Sequence, residues 1–364
     1  MSAVDQVIRS DIAALAAYHV QDATGYIKLD AMENPFVLPE TLRDGLAKHL
    51  ANAAINRYPD PAGVALTKAL RGAMNIPPEL DVLLGNGSDE IIQMLAMACA
   101  KPGAKLLSVE PAFVMFKMIA TFCGLQYIGV PLKADDFSLD ADAMLAAVAE
   151  HQPALTFIAY PNNPTGNLFD RDSIYKIIEA SPGLVVIDEA YFAFSSQSFL
   201  TEMGEFPNAV LMRTVSKLGL AGVRLGMLVG RREWIAEVDK VRLPYNINSF
   251  TQAAATFLIE NVGEFVAQTT VLLAERTSMA ANLGRLFARL PGTLCFPSEA
   301  NFVLIRVPNA AAVFAELKAQ KILVKNTSQG HALLHDTLRI AIGSPAENTA
   351  FLTALTSILE SQYA

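Results

Sequence analysis

The sequence predicts an α/β chain in two domains: a large domain with a mainly parallel sheet covered by helices on both faces, and a smaller α+β domain. Two observations carry that prediction. Between about residues 82 and 230, short runs that are apolar throughout alternate with helix-length segments. Strands without polar alternation belong to parallel sheets buried on both faces. Beyond a helix-rich stretch at 252–290, a second block of strands and helices begins, and 364 residues exceed what one core usually holds. The expected organisation is an N-terminal arm at 1–30 joining the small domain, a large domain at 31–247, and an interdomain helix with the small C-terminal domain at 248–364.

Composition narrows the partners. Lys and Arg number 28 against 36 Asp and Glu, a balance of 28 − 36 = −8 with no basic stripe. That argues against nucleic acid or an anionic membrane surface as a partner. The N-terminus shows no basic flank followed by an apolar run, and no apolar segment is long enough to span a bilayer, so the expectation is a cytoplasmic protein without a membrane partner. Cys99, Cys123 and Cys295 are far apart and odd in number, and read as buried thiols of a reducing compartment. The five histidines form no ligand-spaced cluster, so no metal site is expected.

Taken in order, the chain opens with a short apolar helix-like segment followed by Tyr18, and residues 28–35 read as a strand running into a turn that Asn34 opens. The proline-fixed loop Arg57-Tyr58-Pro59-Asp60-Pro61 precedes a helix at 62–72. Residues 82–92 have the form strand, glycine turn, helix start. Gly85 and Gly87 permit close backbone approach, and Ser88 or Asp89 caps a helix whose first amides either face an anion or simply begin an ordinary helix.

Further strands fall at 105–109, 126–130, 155–160, 184–187, 209–212 and 226–230, with helices at 113–123 and 141–150. Ligands of such sheets bind beyond the carboxyl ends of the strands. The residues there are therefore the candidates. Pro161-Asn162-Asn163-Pro164-Thr165-Gly166 is a stiff turn with two amides. Asp188 directly ends an apolar strand, which is costly unless it is paired, used chemically or caps a helix, and Tyr191 follows.

Lys217 stands in a run with no charged neighbour nearer than Arg213 and Arg224. Desolvation lowers an ammonium pKa and makes lysine a nucleophile; the alternative is a buried loop whose lysine reaches out to solvent. Arg224, beyond a glycine-broken loop, has the forked donors that clamp a phosphate. The second block reads as strands at 302–307, 322–325 and 338–342, a helix at 310–318 and a closing helix at 347–361. Arg339 lies inside an apolar run and needs an anion, either a protein carboxylate or a substrate.

A desolvated lysine, a phosphate cradle, an arginine, a buried aspartate, a tyrosine and an asparagine form the set that a phosphorylated aldehyde cofactor requires. The motifs Glu33-Asn34-Pro35, Arg57-Tyr58-Pro59, Gly85-Asn86-Gly87-Ser88-Asp89-Glu90, Asp188-Glu189-Ala190-Tyr191, Ser216-Lys217 through Arg224, and Leu338-Arg339, with the Asn163 turn between them, cover nearly the whole chain. In this order they resemble the fold-type I pyridoxal-phosphate aminotransferases, and within them the histidinol-phosphate branch.

The resemblance implies an aspartate-aminotransferase-like fold and pyridoxal 5'-phosphate as cofactor. It implies that Lys217 is the Schiff-base lysine and proton carrier, that Asp188 pairs with the pyridine nitrogen, and that Asn163 and Tyr191 hold the phenolic oxygen. Ser88 and Asp89 through their amides, Ser216 and Arg224 bind the phosphate, and Phe113 stacks on the ring. Tyr58 reaches the neighbouring subunit's cofactor, which implies a homodimer. Arg339 grips the substrate anion with Lys325 as a second cation, and Tyr18 and Asn34 line the substrate pocket. The implied reaction is transamination between L-histidinol phosphate and 2-oxoglutarate, giving imidazole-acetol phosphate and glutamate. An aromatic-amino-acid aminotransferase, a threonine-phosphate decarboxylase and a non-catalytic cofactor-binding sensor share much of this pattern.

Overall fold

The computed structural model describes residues 2–17 and 20–363. Among them, two sheets organise the chain. The first strand, β1 (Ile27–Leu29), is followed by β2 (Asp81–Gly85), β3 (Lys105–Glu110), β4 (Gln126–Pro131), β5 (Leu155–Ala159), β6 (Leu184–Asp188), β7 (Ala209–Thr214) and β8 (Gly226–Gly230). Strands β2 to β8 form a seven-stranded sheet in the order β2-β8-β7-β6-β5-β3-β4. Its pairs from β4 through β7 are parallel, and β8 runs antiparallel to both neighbours. Every residue of β5, β6, β7 and β8 is buried, the physical reason these runs lack polar alternation.

The two faces of this sheet pack against separate apolar clusters. Val109, Ile158, Ile187 and Leu211 face one, and Phe157, Val186, Val210 and Met212 face the other. Helices therefore cover both sides. Strand β6 lies between β5 and β7, so Asp188 ends at the centre of the carboxyl edge.

The second sheet has five strands, β1-β11-β12-β10-β9, where β9 is Leu294–Cys295, β10 Phe302–Arg306, β11 Ile322–Asn326 and β12 Thr337–Ala341. Only β1 joins it in parallel, alongside β11; the remaining pairs are antiparallel. The 25-residue helix Gly263–Phe287 and the helix Pro345–Tyr363 pack on it around Phe302, Ile305, Ile340 and Phe351. Among the described residues, no single helix is long and apolar enough to cross a membrane.

Candidate active site

Three adjacent strand ends build the site. A cavity of about 490 Å³ opens at the carboxyl edge of the large sheet, lined there by Pro161 and Asn163 after β5, Asp188 and Tyr191 after β6, and Thr214, Ser216 and Lys217 after β7. Ser88, Asp89, Phe113 and Arg224 complete that side, and Ala31, Met32 and Glu33 close it from the segment after β1. Every residue expected to bind the cofactor within one subunit is thus gathered in a single lining, Tyr58 alone standing apart. Of the expected substrate residues, Tyr18 lies outside the described residues.

The Lys217 loop is shaped by its glycine. Ser216–Leu220 forms a single π-type turn broken at Gly219, which has φ +131. A side chain there would meet Asn34 Nδ2 at 2.8 Å and Phe265 at 3.1 Å, so both conformation and space demand glycine. The turn directs Lys217 inward, where Nζ donates to the Ala31 carbonyl at 3.0 Å. Burial, and secondarily the Arg339 guanidinium, bring Lys217 down to about 8. Reaching solvent is therefore not what this lysine does.

Asp188 is shifted the opposite way. Burial pushes it up to about 7, while the Ala190 amide, donating to Oδ1 at 3.0 Å, works against that shift and the neighbouring Asp89 and Glu189 add to it. The helix-cap role is not what the structure shows: the short 3-10 helix after β6, Phe192–Phe194, starts from Tyr191 with no side-chain cap. Beneath it, Glu189 is neutralised by Arg213, whose Nη2 lies 2.8 Å away with both side chains buried. The Arg213 guanidinium also stacks on Phe192. Nothing in the sequence around Arg213 signals this buried pair, since its partner is 24 residues distant.

At the other end of the cavity, Gly87, not Ser88 or Asp89, caps the helix Ser88–Cys99. Its φ of +83 suits only glycine, and a Cβ there would lie 2.6 Å from Arg224 Nη2. Ser88 and Asp89 instead supply first-turn amides, the positive end of the helix. Arg224 itself adopts the left-handed conformation, φ +54, and its guanidinium lies 3.7 Å from a half-exposed Asp89. An exposed pair at that distance is worth little, so Arg224 remains available to a stronger anion. Ser216 Oγ is held by Thr214 Oγ1 at 2.8 Å beside it.

Tyr191 packs edge-on against Phe302 of the small sheet at 5.2 Å, and burial raises its hydroxyl further. Phe113 presents its ring to the cavity, edge-on to Phe116 at 5.7 Å. Asn163 is oriented from the small sheet: Arg339 Nη1 donates to its Oδ1 at 2.6 Å, and Nη2 donates to the Asp30 carbonyl at 2.8 Å. Because guanidinium can only donate, Asn163 must offer it the carbonyl oxygen, which leaves Nδ2 to serve as donor.

Arg339, Lys325, Tyr58 and Asn34 lie outside the cavity lining, Arg339 reaching it only through its bond to Asn163. Lys325 sits directly opposite Arg339 across β11 and β12, but its side chain is exposed. Tyr58 is 79% exposed and stacked on Tyr245 at 4.4 Å. Asn34 is a correction. Its Nδ2 donates to Gln268 at 2.9 Å and to the Leu218 carbonyl, and its Oδ1 accepts from the Phe36 amide. It fastens the Lys217 loop to the helix Gly263–Phe287 and is no part of a pocket wall. Its neighbour Glu33 lines the cavity instead, a place that nothing in its sequence context signals.

The chemistry of this donor set fits pyridoxal phosphate. A buried carboxylate that holds its proton near neutrality matches a pyridine nitrogen, an amine of lowered pKa matches an aldehyde, and a helix N-terminus with arginine and serine matches a phosphate. The fold and the cavity together define a pyridoxal-phosphate-dependent enzyme.

The chain belongs to the aminotransferase class I and II family, whose model matches residues 24–355. It is 54% identical over 356 residues to histidinol-phosphate aminotransferase 1 of Burkholderia lata, covering 98% of each chain. Among solved structures it resembles a histidinol-phosphate aminotransferase from Sinorhizobium meliloti in complex with pyridoxal-5'-phosphate, with TM-score 0.86, 22% identity and 98% of both chains covered. An L-threonine-O-3-phosphate decarboxylase from Porphyromonas gingivalis shares the fold at TM-score 0.75 and 22% identity, covering 91% of this chain and 99% of that one.

Proposed function

We propose that this aminotransferase moves the amino group of L-histidinol phosphate to 2-oxoglutarate, yielding imidazole-acetol phosphate and L-glutamate in the route to histidine. The observation that carries the reading is the 54% identity to a histidinol-phosphate aminotransferase over 98% of both chains. The shared fold of a decarboxylase does not by itself separate the two reactions.

Pyridoxal phosphate, when bound, supplies the electron sink that makes the substrate's α-proton acidic. Asp188 holds the proton of its pyridine nitrogen, and Asn163 Nδ2 with the Tyr191 hydroxyl holds its ring oxygen. The Ser88 and Asp89 amides, Ser216 and Arg224 hold its phosphate, and Phe113 covers the ring face. Lys217 Nζ takes the proton from the substrate's amine-bearing carbon and would deliver it to the cofactor's aldehyde-derived carbon, not back to the carbon it left. Burial brings this amine down to about 8, toward the range where it can exchange its proton near neutrality, as a base requires. Arg339 binds the substrate's anionic group in both half-reactions, with Lys325 as an outer cation.

The exposed Tyr58, outside its own cavity, fits a homodimer in which it reaches the neighbouring subunit's cofactor. We place the protein in the cytoplasm, where histidine-route intermediates are handled.

The test is a spectral titration of the pyridoxal-phosphate-loaded protein with histidinol phosphate, phenylalanine and threonine phosphate. Histidinol phosphate is expected to convert the bound cofactor to its amine form at the lowest concentration. Equal response to phenylalanine overturns the substrate assignment, and carbon dioxide release from threonine phosphate overturns transamination.

A further inference from the structure

The cavity is lined by three carboxylates, and two have evident work. Asp188 ends β6 in the buried interior, and Asp89 faces Arg224. The third is Glu33. Its Oε2 receives Lys28 Nζ at 2.5 Å, and among the described residues no hydrogen bond engages Oε1. Asp30 lies 3.4 Å from the same Lys28, so the cation is shared and the half-exposed Glu33 carboxylate is only partly neutralised.

The backbone that carries Glu33 is held more tightly than an ordinary loop. Three consecutive carbonyls before it each accept a side-chain donor: Asp30 from Arg339 at 2.8 Å, Ala31 from Lys217 at 3.0 Å and Met32 from Asn301 at 2.9 Å. Met32 is in the left-handed region at φ +53, a conformation that persists only when its surroundings impose it. On the other side, Asn34 is fastened through both atoms of its amide. Glu33 is thus a carboxylate in a fixed place, close enough to Lys217 for their charges to interact.

We propose that Glu33 determines ring specificity by accepting a hydrogen bond from an N–H of the substrate's imidazole. This rests on the histidinol-phosphate reading. An acceptor-only group placed by a rigid backbone rewards a substrate that brings a donor, and offers a phenyl ring no partner. A site built to hydrogen-bond a polar group rejects the analogue lacking it far better than an apolar pocket rejects extra bulk.

Two substrates that differ only in the ring isolate the effect: L-histidinol phosphate and L-phenylalaninol phosphate. With holoenzyme, the ratio of their kcat/KM values is expected to fall on the order of tenfold in Glu33→Gln, and Glu33→Asp is expected to fall between. If the wild-type protein favours the imidazole substrate and E33Q keeps that ratio, the inference is overturned while the functional reading stands. An equal loss on both substrates also overturns it, because Glu33 then only shapes the loop. A wild-type protein indifferent to the ring, or inactive on histidinol phosphate, overturns both.

Discussion

The two sheets handle charge in different ways. At the carboxyl edge of the large sheet, Lys217 and Asp188 are desolvated and displaced toward each other, one down to about 8 and the other up to about 7. In the small sheet, Arg339 and Lys325 stand opposite one another on β12 and β11, one turned to Asn163 and one exposed. Proton transfer needs groups whose charge can change near neutrality, and desolvation is what brings them there. Gripping an anion needs a charge that never changes, which guanidinium provides without burial. On the function proposed above, the large sheet serves reaction and the small sheet capture.

Substitutions at the two edges should separate these duties. Lys217→Ala removes both the amine and the proton carrier, and turnover is expected to fall on the order of 10⁴-fold or more. Retention of near wild-type steady-state rates would end the assignment of Lys217. Arg339→Ala should lower kcat/KM roughly 30- to 1000-fold for histidinol phosphate and for glutamate alike, from the usual cost of removing one partner of a desolvated charged contact. A loss confined to one substrate would show that the two anions do not share this arginine.

The large-sheet edge also predicts a pH signature in the cofactor-free protein. Asp188 is raised from 3.8, so the folded chain binds more protons than the unfolded one between about 4 and 7, and stability falls as pH rises through that window. Lys217 is lowered from 10.5, so the unfolded chain binds more protons between about 8 and 10.5, and stability rises across it. Urea melts at stepped pH should show a minimum near 7 to 8, with each limb on the order of a few kcal/mol. Asp188→Asn should flatten the acidic limb alone. The smallest effect belongs to Lys325→Ala: at an exposed position, a change in kcat/KM of at most about threefold is expected, and a hundredfold loss would make this lysine a full partner of Arg339.

The same contrast explains how far the site is legible in the sequence. Asp188, Asn163 and Lys217 each closely follow an apolar run, and in a parallel sheet those run ends fall on one edge by construction. Their convergence on one cavity therefore follows from the order of strands and helices alone. The exposure of Lys325 does not: the register puts it on the same face as Arg339, but β1 pairs with β11 only as far as Val324, and no local pattern shows that the next residue is left uncovered. Asn34 and Glu33 show the limit most sharply. Adjacent residues of one turn point to different duties, and the packing of Asn34 against Gln268, 234 residues away, decides which is which. The helix cap falls one residue earlier, at Gly87, whose φ of +83 is a backbone conformation that the surrounding residues do not announce.

The contact between Arg339 and Asn163 ties the two edges thermodynamically. Without Arg339, the Asn163 amide has no fixed orientation, so a loss at the capture end also degrades the donor that serves the reaction end. Substitutions at these two positions should therefore fail to add. The Arg339→Ala, Asn163→Ala double variant is expected to be less impaired than the product of the single losses, because the second change removes a group the first has already disabled. Evolution of a new substrate preference at Arg339 would meet the same constraint: the residue cannot be retuned for a different anion without retuning the cofactor's surroundings in the same step.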